Sequence, residues 1–283
     1  MSSSTSYRIG ALKEFYCAPL THSLEKSPAV AGLFVDAPAV LVDKLMSREI
    51  DAAFVTPIDY ARMSSDLQLL PSLGVASIIE SRTVLLCVKP EIRELRTVAL
   101  GTATATDVVL AKIILEEQFK SHVAFVPVSG TVADMLQKAD AALVCGDAVF
   151  TNDWDGASID LIEEWTELTG LPFVHTVCAT LMNSEDAAGL ETLLARARAE
   201  GIDALSACAA EIATGLGMPA ERVEEQLELY QYELLPTHRE SIDEFFRLAY
   251  FHGILQDVPE IHMGRDDVDE EEEDDASTDP GMN

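Results

Sequence analysis

The sequence is poor in cationic residues, and this limits what the protein can bind. Only 19 of its 283 residues are Lys or Arg, against 49 Asp or Glu, and the net charge is -30. Proteins bind nucleic acids through basic surfaces that neutralise phosphates, so we expect no nucleic-acid partner. Acidic surfaces with few lysines suit a salt-rich, halophilic cytoplasm, where salt screens self-repulsion. An ordinary acidic protein is the open alternative.

Long apolar runs are also missing. No stretch approaches the roughly 18 apolar residues that a membrane-spanning helix needs. The first residues lack a charged region followed by a long apolar stretch, which argues against a secretion signal. The five cysteines are scattered, and an odd number without paired spacing favours free thiols. These absences predict a cytoplasmic protein without membrane insertion, in a reducing compartment.

The common catalytic and cofactor motifs are absent. The sequence contains no GxxxxGK[ST], GxGxxG, GxSxG, HExxH or CxxC pattern. Its six histidines lack the spacing of metal ligands. We therefore expect no metal site and no nucleotide cofactor bound through these motifs.

What the sequence does contain is an alternation of short apolar runs and helical patterns, which predicts an α/β fold. The segment "TATD" before one helix resembles a capping box, with Thr104 and Asp107 as its two members. From residue 185 onward the pattern is helical. Residues 266–283 carry ten acidic side chains and are predicted to be a disordered tail. The predicted strands are 7–11, 52–55, 83–88, 97–100, 123–126, 141–144 and 173–179.

One internal similarity predicts two lobes. The stretch "LMSREIDAAFVTPIDY" (45–60) is similar to "MLQKADAALVCGDAVF" (135–150). Each combines the end of an amphipathic helix, Asp-Ala-Ala, a short strand and a loop, although chance similarity stays open. Ligands in α/β proteins bind beyond the carboxyl ends of strands, so two facing lobes predict a cleft. The predicted division gives the first lobe 1–88 and 176–265, the second lobe 89–175, and the tail 266–283.

Three loops at strand ends could bind an anionic ligand. Arg82 could pair with a carboxylate through two hydrogen bonds, or could be a solvated surface residue. "GTATATD" (101–107) could bind an anion at a helix N-terminus, or simply cap that helix. Gly146 permits close backbone approach, and Asp147 could bind a hydroxyl group or cap the next helix.

Several longer stretches resemble one family. "LIEEWTELTGLPFVHTVCA" (161–179), "EIDAAFVTPIDYAR", "IRELRTVALGTATATDVVLAKIILEE" and "DAALVCGDAV" are similar to the chorismate dehydratase family of the futalosine pathway of menaquinone biosynthesis. The resemblance covers roughly residues 7–255. It implies a two-lobed fold of the type II periplasmic-binding-protein kind, with C-terminal helices, in a cytoplasmic lyase. The implied reaction removes water from chorismate, giving 3-[(1-carboxyvinyl)oxy]benzoate, and requires no cofactor.

The loops that the family uses for its pocket differ in this chain. By the family's pattern, Tyr16 stands where a working Asn is expected, Pro57 replaces a Ser, and Ala105 replaces an Arg. A tyrosine hydroxyl can donate a hydrogen bond as an amide does, so we expect Tyr16 to be catalytic. A related protein on the same fold that binds or converts another small carboxylate, and a non-catalytic binding protein, are the open alternatives. The expected substrate-binding residues are Arg82, Thr83, Thr104, Thr106, Gly146 and Asp147.

Overall fold

The structure is a computed structural model that describes residues 6–78, 81–152 and 154–264. The predicted acidic tail, 266–283, lies outside the described residues. Every predicted strand has a counterpart within two residues at either end, and 7–11 and 52–55 match the observed bounds. Four further strands were not predicted. In chain order the strands are β1 (Tyr7–Ala11), β2 (Val30–Val35), β3 (Ala52–Val55), β4 (Leu67–Ser77), β5 (Val84–Val88), β6 (Thr97–Ala99), β7 (Ala124–Val126), β8 (Ala141–Cys145), β9 (Ser158–Asp160), β10 (Phe173–Leu181) and β11 (Tyr230–Gln231).

Helices connect these strands and form most of the C-terminal part. Short 3-10 helices cover Phe15–Cys17, Leu24–Lys26 and Gly146–Val149. The α-helices are α1 (Ala18–Thr21), α2 (Pro38–Met46), α3 (Pro57–Ala61), α4 (Ala105–Glu117), α5 (Val132–Leu136), α6 (Leu161–Thr169), α7 (Ala187–Asp203), α8 (Leu205–Leu216), α9 (Ala220–Leu227) and α10 (Pro236–Phe251).

The strands form two sheets with corresponding orders. The first sheet runs β11-β4-β10-β3-β1-β2, and the second runs β7-β6-β8-β5-β9. Read from its β2 end, the first sheet runs β2-β1-β3-β10-β4, and these strands correspond in turn to β7-β6-β8-β5-β9 of the second. In the first, β2, β1 and β3 are parallel, and β10 pairs antiparallel to β3. In the second, β7, β6 and β8 are parallel, and β5 pairs antiparallel to β8. The two similar stretches of sequence therefore place β3 and β8 at equivalent positions, which confirms the predicted two-lobed α/β fold.

Strand β5 of the second sheet is buried on both faces. Val84 and Leu86 of β5 face the large core that they share with the first sheet. Leu85 and Cys87 of the same strand face a smaller cluster that includes Met135 of α5. Alternation along a strand thus assigns successive residues to two different apolar layers.

Local sequence signals explain where the helices begin and end. Thr104 and Asp107 form the predicted capping box at the start of α4, each side chain bonding to the other's backbone N–H. Gly170 follows α6 with φ +73° and Gly217 follows α8 with φ +69°. This left-handed backbone, which glycine adopts without a steric penalty, is a common way to end a helix.

The chain crosses from the first sheet to the second between Ser77 and Val84, and returns between β9 and β10. Residues 84–88, which the predicted division assigns to the first lobe, belong to the second sheet because Val84 pairs with Cys145. Asp160 connects the two segments of the chain that pass between the sheets. Its Oδ2 accepts a hydrogen bond from the Arg82 N–H at 2.6 Å, and its Oδ1 accepts one from the Ile162 N–H at 2.9 Å.

Candidate functional site

A cavity of about 280 Å³ lies where loops of the two lobes meet. Four segments form its wall: the loop after β1, the residue before β5, the start of α4 and the loop after β8. These segments follow or precede strands at the edge where α/β proteins bind ligands. The lining residues are Lys13, Glu14, Tyr16, Thr83, Thr102, Thr104, Asp107, Cys145, Gly146, Asp147 and Ala148.

The loop after β1 is held against the second lobe by one hydrogen bond. The Phe15 N–H donates to Asp147 Oδ1 over 2.9 Å. Because Phe15 begins the 3-10 helix Phe15–Cys17, this bond fixes the first turn and presents Glu14 and Tyr16 to the cavity. Asp147 is therefore already bound to the chain itself on one of its two oxygens.

Tyr16 is buried among aromatic rings. Its ring centroid lies 5.4 Å from that of His175 and 5.4 Å from that of Tyr230. Burial raises the pKa of Tyr16 well above its usual value, and the nearby Glu14 carboxyl adds to this shift. Burial also lowers the pKa of His175 to about 3. His175 is thus neutral at physiological pH, and Tyr16 keeps its proton and can donate a hydrogen bond.

Thr83 and Gly146 form the middle of the cavity wall. The Thr83 side chain bonds to the hydroxyl of Tyr230 and donates to Ser81 Oγ at 2.9 Å. The Gly146 N–H donates to the Thr83 carbonyl oxygen at 3.0 Å. Gly146 has φ +57°, a conformation that side chains disfavour, and a Cβ there would lie 3.4 Å from Glu14 Cγ. Glycine therefore allows Glu14 to lie against the backbone of the second lobe.

The N-terminus of α4 forms the opposite wall. Asp107 Oδ2 accepts hydrogen bonds from the Thr104 N–H at 2.7 Å and from Thr104 Oγ1 at 2.8 Å. The Asp107 N–H donates back to Thr104 Oγ1 at 3.3 Å. A helix N-terminus favours negative charge, and the carboxylate of Asp107 already lies there. It therefore competes with an anionic ligand for this end of α4.

The cavity contains more acid than base. Among its lining residues, Lys13 is the single cation, against Glu14, Asp107 and Asp147. Burial raises the pKa of Glu14 and the charges of the other two carboxyls add to that shift, whereas its own backbone N–H and the charge of Lys13 oppose it. This arrangement favours a protonated Glu14, because three charged carboxylates in one buried site repel each other.

The other two carboxyls have partners that favour their ionised forms. Burial raises the pKa of Asp147, whereas the Phe15 N–H and the charge of Lys13 oppose that shift. Burial likewise raises the pKa of Asp107, and the two hydrogen bonds from Thr104 oppose it. The environments therefore differ in degree: the charge of Lys13 acts on both Glu14 and Asp147, and each aspartate also accepts a hydrogen bond from another residue.

Five of the seven residues expected from the sequence line this cavity: Tyr16, Thr83, Thr104, Gly146 and Asp147. Thr106 lies behind it, where its hydroxyl donates to Thr56 Oγ1 at 2.9 Å and accepts from the Ile58 N–H at 3.0 Å. Arg82 lines a separate cavity. Their substrate-binding roles stay predictions. Glu14, which was not among the expected site residues, was signalled in the sequence only by its place next to Lys13 in the loop after β1.

Across residues 6–78, 81–152 and 154–264, no group of three or more His, Cys, Asp or Glu side chains could hold a metal ion. All five cysteines are free and buried. No helix in the same ranges is long and apolar enough to cross a membrane.

Solved structures define the class of fold. A crystal structure of an Archaeoglobus fulgidus protein superimposes with a TM-score of 0.70 at 17% identity, covering 90% of this chain and 100% of that one. The periplasmic aliphatic sulphonate binding protein of Escherichia coli superimposes with a TM-score of 0.66 at 14% identity, covering 91% and 96%. The chain therefore has a periplasmic-binding-protein-like fold, with its cavity between the two lobes.

Sequence comparison identifies the family. A family model described as menaquinone biosynthesis matches residues 7–251, so the chain belongs to the menaquinone biosynthesis family. The chain is also similar to the chorismate dehydratase of Thermus thermophilus, with 28% identity over 259 residues. That similarity covers 84% of this chain and 93% of the relative.

Proposed function

We propose that this protein is a hydro-lyase that removes water from chorismate to give 3-[(1-carboxyvinyl)oxy]benzoate. The match to the menaquinone biosynthesis family across residues 7–251 carries this proposal. The similarity to a chorismate dehydratase over most of both chains supports the choice of reaction. The cavity between the lobes is the proposed place of the chemistry, because its polar groups converge there.

The reaction needs an acid and a base. The ring loses a proton from C3 and the hydroxyl group from C4, which leaves as water after taking up a proton, and the ring becomes aromatic. Two carboxyls with different environments divide such roles. Protonated Glu14 is the proposed donor to the leaving hydroxyl. Asp147, which Lys13 and the Phe15 N–H favour in its ionised form, is the proposed proton acceptor.

The remaining cavity groups bind and orient the substrate. Lys13 and the backbone N–H groups before α4 are the proposed partners of its carboxylates. Tyr16, which keeps its proton, donates a hydrogen bond within the cavity, and Thr83 offers a second hydroxyl. Gly146 lets a ligand approach the backbone of the second lobe.

The test is turnover of chorismate by the full chain in concentrated salt, followed by the ultraviolet absorbance of the aromatic product. We expect Tyr16→Phe to reduce kcat at least tenfold, because one hydrogen bond that strengthens in the transition state is lost. Tyr250→Phe is the matched control, since Tyr250 is half exposed and lies outside the cavity. Equal rates for Tyr16→Phe and the unchanged protein contradict the proposed site.

The charge of the cavity favours a second candidate. Three carboxyls against one ammonium suit a ligand with fewer negative charges than chorismate, which carries two carboxylates. The second candidate is therefore a protein of the same fold that binds or converts another small carboxylate. Saturable binding of chorismate without turnover instead points to a non-catalytic binding protein.

The composition supports a proposed setting in a salt-rich cytoplasm. With 49 acidic against 19 basic residues, self-repulsion is strong at low ionic strength and weak when salt screens it. Thermal unfolding at rising KCl concentration tests this, and an unfolding temperature that does not rise with salt contradicts it.

A further inference from the structure

A second cavity, of about 430 Å³, lies on the other side of the loop after β1. Its walls come from the segment before β5, the loop after β8, and helix α9 of the C-terminal part. The side chain of Arg82, which the sequence suggested as a carboxylate ligand, lines this cavity together with Arg222. No part of the proposed reaction uses this space.

The charge of this second cavity is opposite to that of the protein. Arg82 and Arg222 face one acidic lining residue, Glu225. Within the described ranges, neither arginine side chain forms an ion pair with a carboxylate. The chain has 49 acidic residues, yet this cavity contains two arginines that are not paired with a carboxylate within the described structure. The cavity should therefore attract an anion.

The rest of the wall combines aromatic and apolar side chains with three polar ones, Asn152, Ser158 and Gln226. Phe15, Phe150 and Trp154 line it, and the rings of Phe15 and Phe150 meet edge to face with centroids 4.6 Å apart. Guanidinium groups bind carboxylates through paired hydrogen bonds, and aromatic side chains pack against flat apolar rings. We propose that this cavity is a binding site for an aryl carboxylate, a flat ring that carries one carboxylate group.

This second site shares a wall with the first. Phe15 is buried between them, next to Tyr16 in sequence and in contact with its ring at a centroid distance of 5.4 Å. The Phe15 N–H also holds Asp147 of the first cavity. A ligand that packs against Phe15 therefore contacts the element that positions both Tyr16 and Asp147.

The experiment is a fluorescence titration of the full chain with benzoate. The chain has two tryptophans; Trp165 is fully buried and Trp154 lines the second cavity, so Trp154 reports on ligand there. We expect a saturable change with benzoate and none with benzamide, which has the same ring without the charge. Trp154→Phe should abolish the signal.

Charge variants then locate the ligand. Arg82→Gln and Arg222→Gln should each weaken benzoate binding about threefold, as expected for an ion pair at a solvent-exposed guanidinium. Glu225→Gln should strengthen it. Arg247→Gln is the matched control, because Arg247 is exposed, pairs with Glu244 on α10 and lies outside the cavity.

Several results overturn the proposal: no saturable signal, equal binding of benzamide, or unchanged affinity in both Arg82→Gln and Arg222→Gln. Loss of the signal in Lys13→Gln, with both arginine variants unaffected, also overturns it, because the ligand then lies in the first cavity. Repeating the titration with 3-[(1-carboxyvinyl)oxy]benzoate shows whether the product of the proposed reaction or a simpler aryl carboxylate binds more tightly. All readouts are of binding, so they stand apart from the test of turnover.

Discussion

Replacing Asp107 by Asn should tighten the binding of chorismate, although the residue lines the proposed active site. The variant removes one of three negative groups that a doubly charged substrate must approach. Asn keeps an oxygen that can accept the hydrogen bond that the Thr104 N–H now donates to Asp107 at 2.7 Å. The geometry of α4 should therefore persist while the charge disappears.

The size of the cavity sets the size of the effect. A sphere of 280 Å³ is about 8 Å across, and we take this diameter as the separation between the Asp107 carboxylate and a carboxylate of the bound substrate. At that separation, Coulomb's law gives a repulsion of ~2 kcal/mol at an effective dielectric constant of ~20. Salt reduces this further. We expect the Kd of chorismate to fall about thirtyfold at low ionic strength and less in concentrated salt.

The pH dependence follows from the raised pKa of Asp107. Well below that pKa, Asp107 is neutral in the unchanged protein, so the variant and the unchanged protein should bind chorismate alike. As the pH rises through that pKa, the carboxylate acquires its charge in the unchanged protein alone, and the difference in Kd should grow.

Helix α5 provides the control. Thr131 and Asp134 form the same capping box there, outside the cavity. Asp134→Asn should lower the free energy of unfolding by about 0.3–1 kcal/mol, because it removes an exposed acid from a helix N-terminus. Asp107→Asn should lower it less, because burial already disfavours the charge of Asp107. Only Asp107→Asn should change the Kd, measured by calorimetry. Weaker binding in Asp107→Asn, or the same shift in Asp134→Asn, refutes the reasoning.

Two further predictions use matched pairs. Tyr230→Phe removes the hydroxyl that bonds to Thr83 in the cavity wall, whereas Tyr232→Phe removes one that donates to the Leu227 carbonyl at 3.2 Å. Both should lose about 1 kcal/mol of stability, and only Tyr230→Phe should lower kcat; equal losses of kcat would assign Tyr230 a structural role alone. Gly201→Ala should destabilise the fold by about 1–3 kcal/mol, because a Cβ there would lie 1.7 Å from the Pro19 carbonyl oxygen. Gly215→Ala, with nothing within 4 Å of its Cβ, should stabilise by about 0.5–1 kcal/mol, and urea unfolding that shows the same sign for both contradicts this packing.

The buried strands were predictable because apolar runs between turns identify them. Strand β4 was not, since it contains Pro71 and Gly74, which usually mark breaks in strands. The structure accommodates both in a long strand whose register against β10 shifts twice. Gly74 is needed there, because a Cβ would lie 2.7 Å from the Thr176 carbonyl oxygen. Close approach between strands that are distant in sequence is invisible to any local pattern.

The loops of the candidate cavity were predictable, and so were five of its lining residues, whereas Arg82 and Thr106 were expected there and lie elsewhere. The rule that ligands bind beyond strand ends selected the loop around Gly146, and the family's pattern selected Tyr16. The same rule could not separate Arg82 from Thr83, which are adjacent and line different cavities. The side chains of neighbouring residues at the start of a strand point to opposite sides. Which of Arg82 and Thr83 lines the first cavity therefore depends on the orientation of β5 in its sheet.

The contacts between the lobes have a consequence for the speed of ligand exchange. Three of the hydrogen bonds that join the lobes lie beside the first cavity: Phe15 to Asp147, Ile58 to Thr106, and Thr106 to Thr56. Widening the cleft breaks at least these, at a net cost of about 1 kcal/mol each. A free energy of that size or more leaves at most on the order of 1% of molecules open. Chorismate should therefore enter at a rate well below the diffusion limit, and weakening any of the three bonds should accelerate both entry and release.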